Sequence, residues 1–354
     1  MGKNVLIAPL NWGLGHATRC IPIVKGLEES GYTPIIASDG QALVLLRKEF
    51  PHLKALELPS YEVEYAKEGA DFKWKMLKNM PTIIEAILAE KKMVKKWVKE
   101  HNLIGIISDN RLGVFSKKVQ SVFITHQLNV LTGNTTWISS KLHQRIIKKF
   151  DECWIPDYED IPNLTGKMGH LKSPFEHIKY IGPLSRFEKK EIPKNYDLMI
   201  ILSGPEPQRS ILENILKEHI HEYAGKVVFI SGKIESRQKK TQIDLVTYYN
   251  FMTSEQLEQT FNESNLVLCR SGYTTIMDLI KLEKKAFLIP TPGQFEQEYL
   301  AKRLKKNGHF PFAKQDEFNF HKIFETDLYQ LFQQKNEPIH WKNLFCLFES
   351  KGKL

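Results

Sequence analysis

Cysteine is scarce in this sequence, and no two cysteines stand close together. The 354 residues include four, at positions 20, 153, 269 and 346. A disulfide framework or a zinc knuckle needs cysteines paired at short spacing, and no Cys-x-x-Cys motif is present. The sequence therefore predicts reduced thiols and indicates neither a disulfide framework nor a zinc knuckle.

Long apolar runs are also missing. Stretches such as Leu198–Leu202 and Val227–Ile230 are far shorter than the roughly 18 residues that a transmembrane helix needs. The first residues enter a strand-like run after one lysine, without the apolar core and small-residue cleavage site of a signal peptide. We therefore expect a cytoplasmic protein without a transmembrane helix.

Signatures of nucleic-acid binding are absent as well, although the chain is basic. Fifty Lys and Arg stand against 41 Asp and Glu, which gives a net charge of +9. Such a balance suits an anionic partner: a nucleotide, a nucleic acid or an acidic lipid surface. Because no RNP-like motif, helix-turn-helix or arginine-rich arm accompanies the charge, we expect no nucleic-acid partner.

Short apolar runs alternate with segments of helical period along most of the chain. Strand-like runs lie at Asn4–Pro9, Thr33–Ala37, Ile104–Ile107 and Ser121–Thr125, and the alternation resumes near residue 197. This pattern is typical of parallel βα units and predicts an α/β protein with two Rossmann-like, doubly wound domains. Ligands of such sheets bind beyond the carboxyl ends of the strands, so we expect a cleft between two facing sheets.

The same pattern divides the chain. We predict an N-terminal domain over residues 1–182, a linker over 183–195 that is marked by Pro and Gly, and a second domain over 196–313. Residues 314–354 are rich in Phe and Gln at helical spacing and are predicted to form a C-terminal helical segment.

A glycine-rich loop follows the first predicted strand. Gly13 and Gly15 let the backbone turn tightly and approach a ligand, and His16 stands close to the start of the next helix. Backbone N–H groups and the imidazole can together meet an anion or a sugar. A histidine that merely caps the helix is the alternative, and this loop alone does not decide between the two.

A second loop carries a stronger pattern. An apolar run leads into Arg270–Gly272, and Thr274 and Thr275 stand in the first turn of the helix that follows. The free N–H groups and the dipole of a helix start attract anions, and hydroxyls there can donate to a diphosphate. Asp278 lies about two helical turns after Ser271. A carboxylate at this place can accept from vicinal ribose hydroxyls. An N-cap serine followed by an ordinary surface aspartate is the alternative.

This loop and helix, together with Ile289–Tyr299, resemble the C-terminal half of glycosyltransferase family 28, which includes lipid II-forming N-acetylglucosaminyltransferases. The resemblance implies the GT-B fold, with an N-terminal acceptor domain and a C-terminal nucleotide-sugar domain. It also implies that the loop holds the nucleotide diphosphate, that Asp278 binds ribose and that Gln297 binds the donor sugar. Glu298 stands where the family often has a second glutamine.

Two further segments resemble parts of the same family. Ser203 and Gly204 resemble the first glycine-rich loop of the second domain, although nearby prolines make this version stiffer. Phe251 and Met252 resemble the segment whose main chain contacts the base. The resemblance implies that both segments contribute to nucleotide-sugar binding.

In the N-terminal half, Thr125–Asn129 resembles the family's His-Glu-Gln-Asn segment, and Gly13–His16 resembles its glycine-rich loop. The run Gly13–Cys20 also resembles the Gly-x-Gly-His-x-x-Arg-Cys signature of nucleotide-sugar hydrolases of pseudaminic acid synthesis, in which water replaces the acceptor. Arg19 and Cys20 therefore keep a hydrolase, or an epimerase of the same fold, as an alternative. A non-catalytic nucleotide-sugar-binding protein is the alternative of another class.

Residues 72–100 form a basic amphipathic segment with eight Lys against three Glu. Its apolar residues recur at helical spacing, so the segment can lie on an anionic membrane surface. The alternative is a pair of domain-packing helices, split near Pro81, with a solvated lysine face. We favour the packing interpretation, because most amphipathic helices bury one side.

Together, the residues and the resemblance predict a glycosyltransferase that moves a sugar from a nucleotide-sugar donor, with uridine diphosphate as the carrier, to an acceptor hydroxyl. The acceptor is a glycan, a lipid or a small molecule, and contact of 72–100 with the inner membrane surface stays open. We expect inversion of the anomeric carbon, no metal and no cofactor, with His16 as the base. The predicted nucleotide-sugar site consists of Ser203, Gly204, Phe251, Met252, Arg270, Ser271, Gly272, Thr274, Thr275, Asp278, Gln297 and Glu298. The predicted acceptor-side loops contain Asn11, Gly13, Gly15, Arg19, His126 and Asn129.

Overall fold

A computed structural model describes residues 2–61, 72–131, 136–233, 235–334 and 337–349, and for residues 72–80 it describes the helix alone. The chain divides into two compact units. The first holds Lys73–Leu184 with the described residues before 62 and after 334, and the second holds Ser185–Gln334. The segment 314–354, predicted as one helical piece, is thus shared between the two units.

The first unit is built on a seven-stranded sheet whose strands all run parallel. The strands are β1 Asn4–Pro9, β2 Thr33–Ser38, β3 Lys54–Glu57, β4 Leu103–Asp109, β5 Gln120–Ile124, β6 Glu152–Ile155 and β7 Ile178–Tyr180. Their spatial order is β3-β2-β1-β4-β5-β6-β7, so the winding reverses between β1 and β4. In open parallel sheets, such a reversal is where a ligand crevice forms beyond the carboxyl ends of the strands.

The helices of the first unit include one that differs from the prediction. They are α1 Gly15–Glu29, α2 Gly40–Glu49, α3 Phe72–Glu100 and α4 Thr136–Ile147. Pro81 lies inside α3, which is continuous, so the predicted split near Pro81 is wrong. The later turns of α3 bury Val94 and Trp97 against the sheet, and this packing outweighs the local cost of a proline in a helix. Among the described residues, no helix is both long enough and apolar enough to cross a membrane.

The second unit contains a six-stranded sheet in the order β10-β11-β9-β8-β12-β13. Its strands are β8 Tyr196–Ile201, β9 Val227–Ile230, β10 Lys240–Ile243, β11 Val246–Tyr249, β12 Ser264–Cys269 and β13 Lys285–Leu288. Its helices are α5 Gln208–His219, α6 Ser254–Glu263, α7 Tyr273–Lys281 and α8 Phe295–Lys306. All strand pairs are parallel except β10 with β11, and the winding reverses between β8 and β12.

The middle residues of the central strands of both sheets are buried. Val5–Ala8 of β1 and Leu198–Ile200 of β8 are all fully buried. Continuous apolar runs of this kind are typical of parallel strands that are covered on both faces. The predicted α/β class with two largely parallel sheets is confirmed.

The C-terminal residues pack on the first unit. They form α9 Trp341–Phe345 and a 3-10 helix at Cys346–Glu349. A Cβ atom at Gly105 of β4 would lie 2.3 Å from the ring of Phe348, so this position in the strand must lack a side chain. The Tyr32 hydroxyl donates to the carbonyl of Phe345 at 3.0 Å. The C-terminal segment therefore belongs to the core of the first unit.

Candidate active site

The loop after β1 leads into α1 at the point where the winding of the first sheet reverses. Gly13 has a φ of 75°, a left-handed conformation that favours glycine, and α1 begins at Gly15. His16, Arg19 and Cys20 are spaced i, i+3 and i+4, which places them on one face of the helix. All three contact the carboxyl end of the neighbouring strand, β4.

Asp109, the last residue of β4, is the acceptor for this face of α1. Its buried carboxylate accepts from His16 Nδ1 at 2.8 Å and from Arg19 Nε at 2.6 Å, and Arg19 Nη2 donates to it as well. The Cys20 thiol donates from 3.7 Å. Burial by itself raises the pKa of Asp109, but the charge of Arg19 and the hydrogen bonds from Arg19 and His16 outweigh burial and hold the pKa well below its usual range. Asp109 is therefore an anion at neutral pH.

Asp109 and Arg19 both contact Nδ1 of His16, each at 2.8 Å. In the tautomer whose Nδ1 donates to the carboxylate, the lone pair of a neutral His16 lies on Nε2. Nε2 hydrogen-bonds to none of the residues that the structure describes, and the side chain is 14% exposed. Burial lowers the pKa of His16; Asp109 opposes this effect, and Arg19, with Nη2 2.8 Å from Nδ1, adds to it. A neutral, oriented imidazole of this kind can accept a proton at neutral pH.

Arg19 also connects His16 to His126. Its Nη1 donates to His126 Nδ1 at 2.9 Å, so a neutral His126 carries its own proton on Nε2. The two side chains are buried. The structure therefore brings three predicted residues, His16, Arg19 and His126, together around an aspartate that was not predicted.

Asn11 and Asn129 hold backbone near this cluster. Asn11 accepts from the N–H of Ala42 at 3.2 Å and donates to Asp39 at 3.2 Å. Asn129 donates to the carbonyl of Lys167 at 2.6 Å. Within the described chain, neither side chain hydrogen-bonds to the histidines, so their predicted place on the acceptor side stays a prediction.

A second charged network at the same edge of the sheet was not predicted. Arg111 is fully buried and donates to Glu90 of α3 at 2.7 Å and to Asp39. Glu90 also accepts from the Tyr61 hydroxyl and from the N–H of Gly113, each at 2.9 Å. Burial raises the pKa of Glu90 in spite of the Arg111 charge. The network connects α3 to the strand ends, so this part of the segment 72–100 packs on the protein, as the favoured interpretation predicted.

In the second unit, the loop after β12 leads into α7 where the winding of that sheet reverses. Gly272 is the N-cap of α7 and, as a glycine, supplies no side-chain cap. A Cβ atom on Gly272 would meet nothing closer than Thr275 Oγ1 at 4.0 Å, and Thr274 and Thr275 are half-buried. The helix start therefore has room for an anion in front of Gly272.

Arg270 adds a buried positive charge beside this helix start. Its guanidinium is 1% exposed and donates to the carbonyls of Gln208 at 2.8 Å and Pro290 at 3.2 Å and to Gln315 Oε1 at 2.7 Å. In the described part of the chain it forms no ion pair, and its Nε has no hydrogen-bond partner. Burial lowers the pKa of Arg270 to about 10, so the side chain stays charged at neutral pH. A nearby diphosphate would compensate this charge.

Ser271 and Asp278 both have hydrogen-bond partners inside the second unit. Ser271 is fully buried, and its hydroxyl donates to the carbonyl of Gln297 at 2.9 Å. Asp278 accepts from the Ser185 hydroxyl at 2.6 Å. Burial raises the pKa of Asp278 to about 6, although Arg186 and Ser185 oppose the rise. Asp278 is therefore largely ionised at pH 7 and gains a proton in mildly acidic solution.

The loop after β13 holds a residue that was not predicted. Thr291 is 2% exposed, and its hydroxyl has no hydrogen-bond partner among the described residues. Gly204, in the loop after β8, has a φ of 99°, and a Cβ atom there would lie 4.0 Å from Thr291 Oγ1. A buried hydroxyl without a partner is unusual in proteins, so the space next to Gly204 is a candidate for ligand contact. Ser203, beside Gly204, is exposed.

Gln297 and Glu298 brace the same loop. Gln297 accepts from the N–H of Thr291 at 2.9 Å and donates to Gln294 at 2.6 Å. Glu298 accepts from the N–H of Gly293 at 3.1 Å. The structure thus places both residues at the carboxyl edge of the second sheet, and their contact with a donor sugar stays a prediction.

Phe251 and Met252 lie between β11 and α6, which begins at Ser254. The carbonyl of Phe251 accepts from Gln238 at 2.7 Å, and the sulfur of Met252 accepts from Thr260 at 3.4 Å. Neither hydrogen bond tests whether the main chain of this segment contacts the base of the nucleotide, which stays a prediction.

The described residues contain no cluster of three or more His, Cys, Asp or Glu side chains suited to a metal ion. Cys20, Cys153 and Cys269 are buried free thiols. Burial raises the pKa of the Cys153 and Cys269 thiols, which keeps them protonated.

Comparison with known proteins connects these sites to a family. Residues 199–343 match the model of the Glycosyltransferase family 28 C-terminal domain. The chain is 24% identical over 343 residues to the UDP-N-acetylglucosamine–N-acetylmuramyl-(pentapeptide) pyrophosphoryl-undecaprenol N-acetylglucosamine transferase of Clostridium tetani. The alignment covers 92% of this chain and 89% of that protein.

Two solved structures have a similar fold. Spinosyn forosaminyltransferase SpnP has a TM-score of 0.61 at 12% identity and covers 99% of this chain and 94% of its own. MurG of Acinetobacter baumannii has a TM-score of 0.54 at 12% identity and covers 93% of this chain and 92% of its own. The predicted GT-B fold is confirmed.

The chain is a glycosyltransferase whose donor is a nucleotide sugar, and its residues 199–343 are similar to the family 28 C-terminal domain. The predicted class of enzyme is confirmed, and it replaces the alternative of a non-catalytic binding protein. None of the relatives described above is a nucleotide-sugar hydrolase or epimerase, so the comparisons give those alternatives no support.

Proposed function

We propose that this family 28-like enzyme transfers N-acetylglucosamine from its uridine diphosphate ester to a hydroxyl of a lipid-linked acceptor, with His16 as the base. The donor and the class of acceptor are those in the name of the Clostridium tetani relative. One observation supports the base above all: Asp109 holds Nδ1 of His16 at 2.8 Å, so that Nε2 is the proton acceptor.

The proposed step is a single displacement at the anomeric carbon. Nε2 of His16 takes the proton of the acceptor hydroxyl while the hydroxyl oxygen attacks that carbon. The bond from the carbon to the diphosphate oxygen breaks, its electron pair leaves on uridine diphosphate, and the configuration inverts. The Asp109 carboxylate stabilises the imidazolium that forms, as in other carboxylate–histidine pairs. Arg19, which keeps Asp109 ionised, orients both groups.

The proposed donor site needs positive charge where the diphosphate leaves. The first turn of α7 supplies the positive end of a helix dipole, and Arg270 adds a buried cation. Thr274 and Thr275 can donate from the same turn. These groups support transfer without a divalent cation, which we propose for this enzyme. Asp278, ionised at pH 7, is assigned to the ribose hydroxyls.

A lipid-linked acceptor also requires contact with a membrane surface. On α3, Ile84 and Leu88 are 50% and 58% exposed, on a different face from the buried Glu90 and Val94. On α4, Trp137 is 64% exposed. Exposed apolar side chains next to lysines suit an anionic lipid surface. We therefore assign peripheral membrane contact to the first unit.

The test follows labelled sugar rather than nucleotide. The full chain is incubated with uridine diphosphate N-[¹⁴C]acetylglucosamine and an undecaprenyl-linked N-acetylmuramyl-pentapeptide acceptor, and label in the organic phase is counted. We expect lipid-extractable label with the wild type and with His52→Ala, an exposed histidine, and a loss of at least about 100-fold with His16→Ala. Equal label with His16→Ala would remove His16 from the reaction, and no label with the wild type would contradict the proposed donor–acceptor pair.

A further inference from the structure

We propose that a phosphate-class oxyanion binds in a lysine-lined cavity at the amino-terminal edge of the second sheet. The cavity has a volume of about 230 Å³ and is lined entirely by residues of the second unit. Five lysines and two glutamates lie in its wall. The wall is therefore strongly basic, and the proposal is independent of the transferase reaction.

Three of the five lysines have carboxylate partners. Lys189 pairs with both glutamates of the wall, Glu191 at 3.1 Å and Glu283 at 2.8 Å. The other two lysines pair with carboxylates outside the wall: Lys190 with Glu258 and Lys285 with Asp327. No acidic side chain of the wall is left to neutralise the two remaining lysines.

Lys194 and Lys284 form no ion pair in the described chain, and they donate to the same acceptor. The Nζ atoms of Lys194 and Lys284 lie 2.5 Å and 3.4 Å from the carbonyl oxygen of Asn262, and Lys284 also donates to the carbonyl of Ser264 at 2.8 Å. These contacts place the two ammonium nitrogens no more than about 6 Å apart. Two like charges at this distance repel each other, and an anion between them would remove the repulsion.

Lys284 is the buried member of the pair, with 7% of its surface exposed. Burial and then the charge of Lys194 lower the pKa of Lys284 to about 8; Lys189 adds to the effect, and Glu191 opposes it. A buried ammonium normally has a carboxylate partner. A tetrahedral oxyanion has acceptor oxygens in several directions and can reach both ammonium groups with short, charge-assisted hydrogen bonds. Its binding would also hold Lys284 in the protonated form.

The cavity is separate from the predicted diphosphate site. Ser264 is the first residue of β12 and Lys285 is the first residue of β13, whereas Gly272 and Thr291 follow the other ends of these strands. Because β12 and β13 are parallel, the two sites lie at opposite edges of the sheet. The same chemistry fits a free phosphate group and the phosphate of a lipid headgroup.

The experiment measures binding of inorganic phosphate to the full chain by titration calorimetry at pH 7 and pH 9. The variants are Lys284→Met, Lys194→Met and, as a control, Lys226→Met, an exposed lysine of the same unit outside the cavity wall. We expect saturable binding by the wild type and the control, and affinity weaker by about 10-fold or more in the two cavity variants. Wild-type affinity should fall toward pH 9, as Lys284 loses its proton.

Equal phosphate affinity in Lys194→Met and the wild type would overturn the proposal, as would a wild type that binds no phosphate at about 10 mM. Lys194 is exposed, so this variant remains informative if Lys284→Met fails to fold. Flotation with phosphatidylglycerol vesicles separates the two sources. Flotation that depends on Lys194 and Lys284 identifies a lipid headgroup as the source of the phosphate. Flotation that does not depend on these lysines, or no flotation, identifies a free anion. Either result supports the proposed class of ligand when the calorimetry shows lysine-dependent phosphate binding.

Discussion

His16→Ala is the substitution that separates a catalytic histidine from a structural one. Nδ1 of His16 contacts Asp109 and Arg19 Nη2, each at 2.8 Å, and the side chain is 14% exposed. Arg19 keeps its own contact with Asp109 at 2.6 Å when the imidazole is removed. The buried ion pair therefore survives. Loss of a hydrogen bond to a charged group costs about 1.5–3 kcal/mol, so the variant should still fold at 25 °C.

The expected kinetic effect equals or exceeds this loss of stability. Removal of a general base lowers the turnover rate about 10²–10⁴-fold, equivalent to about 2.7–5.5 kcal/mol in the barrier. Donor affinity should stay near the wild-type value, because the residues assigned to the nucleotide lie in the second unit. The assay is release of uridine diphosphate under saturating donor and acceptor, with the amount of folded enzyme determined independently.

The pH profile provides an independent readout. Neutral His16 is the active form, so the rate falls as the pH is lowered through the pKa of His16. Burial, with Arg19 and His126, keeps that pKa below 6.5 in spite of Asp109, and the acid limb of kcat/KM should therefore lie below 6.5. The limb should disappear in His16→Ala. An unchanged acid limb with turnover within about threefold of the wild type would show that His16 is not the base and would make His126 the next candidate.

Four further substitutions test the other contacts. Asp109→Asn leaves Arg19 buried without a counter-charge and should lower the free energy of unfolding by about 3–5 kcal/mol in urea titrations; an unchanged midpoint would contradict the ion pair. Thr291→Val removes a hydroxyl without a partner, so it should weaken uridine diphosphate binding without loss of melting temperature; a large drop in stability would show a structural role. Wild-type affinity for uridine diphosphate should fall as the pH drops through about 6, and Asp278→Asn should bind weakly without that dependence; a parallel pH profile would argue against the ribose contact. Replacement of lysines of α3 by Gln should reduce flotation with anionic vesicles, and equal flotation would leave these charges a role in solubility alone; the lysines are Lys91, Lys92, Lys95 and Lys96.

The α/β fold could be predicted because its strands are short apolar runs with clear ends. Asn4–Pro9 is predicted and observed as the same strand, and Ile104–Ile107 lies inside β4. The continuous helix through Pro81 could not be predicted in the same way. Local preference disfavours proline there, and the packing of Val94 and Trp97 that holds the helix depends on the sheet.

The cluster around His16 was predicted only in part, for a reason of topology. His16, Arg19 and Cys20 form a local pattern on one helix, which a sequence shows directly. Asp109 lies 93 residues from His16 and reaches it because β4 is the neighbour of β1. The order of strands in a sheet is not written in the order of the chain. The available signal was weak: Asp109 ends an apolar strand, at the edge where ligands bind.

In the predicted nucleotide-sugar site, the resemblance predicted positions but not side-chain hydrogen bonds. Ser271 and Gln297 were predicted from a resemblance, which identifies positions but not the hydrogen bonds that a side chain makes. In the structure the Ser271 hydroxyl donates to the Gln297 carbonyl, whereas the hydroxyl of Thr291 has no partner among the described residues. Threonine in a proline-rich turn is unremarkable as a sequence, and its unsatisfied hydroxyl is visible only after folding.

The most direct test of the proposed transferase reaction is the dependence of nucleotide release on the acceptor. Wild-type protein is given uridine diphosphate N-acetylglucosamine with and without the lipid-linked acceptor, and free uridine diphosphate is measured over time. A glycosyltransferase with His16 as its base predicts release that requires the acceptor, equals the sugar transferred and is lost in His16→Ala. Release at the same rate without any acceptor would mean that water is the nucleophile, and it would contradict transfer of the sugar to an acceptor hydroxyl.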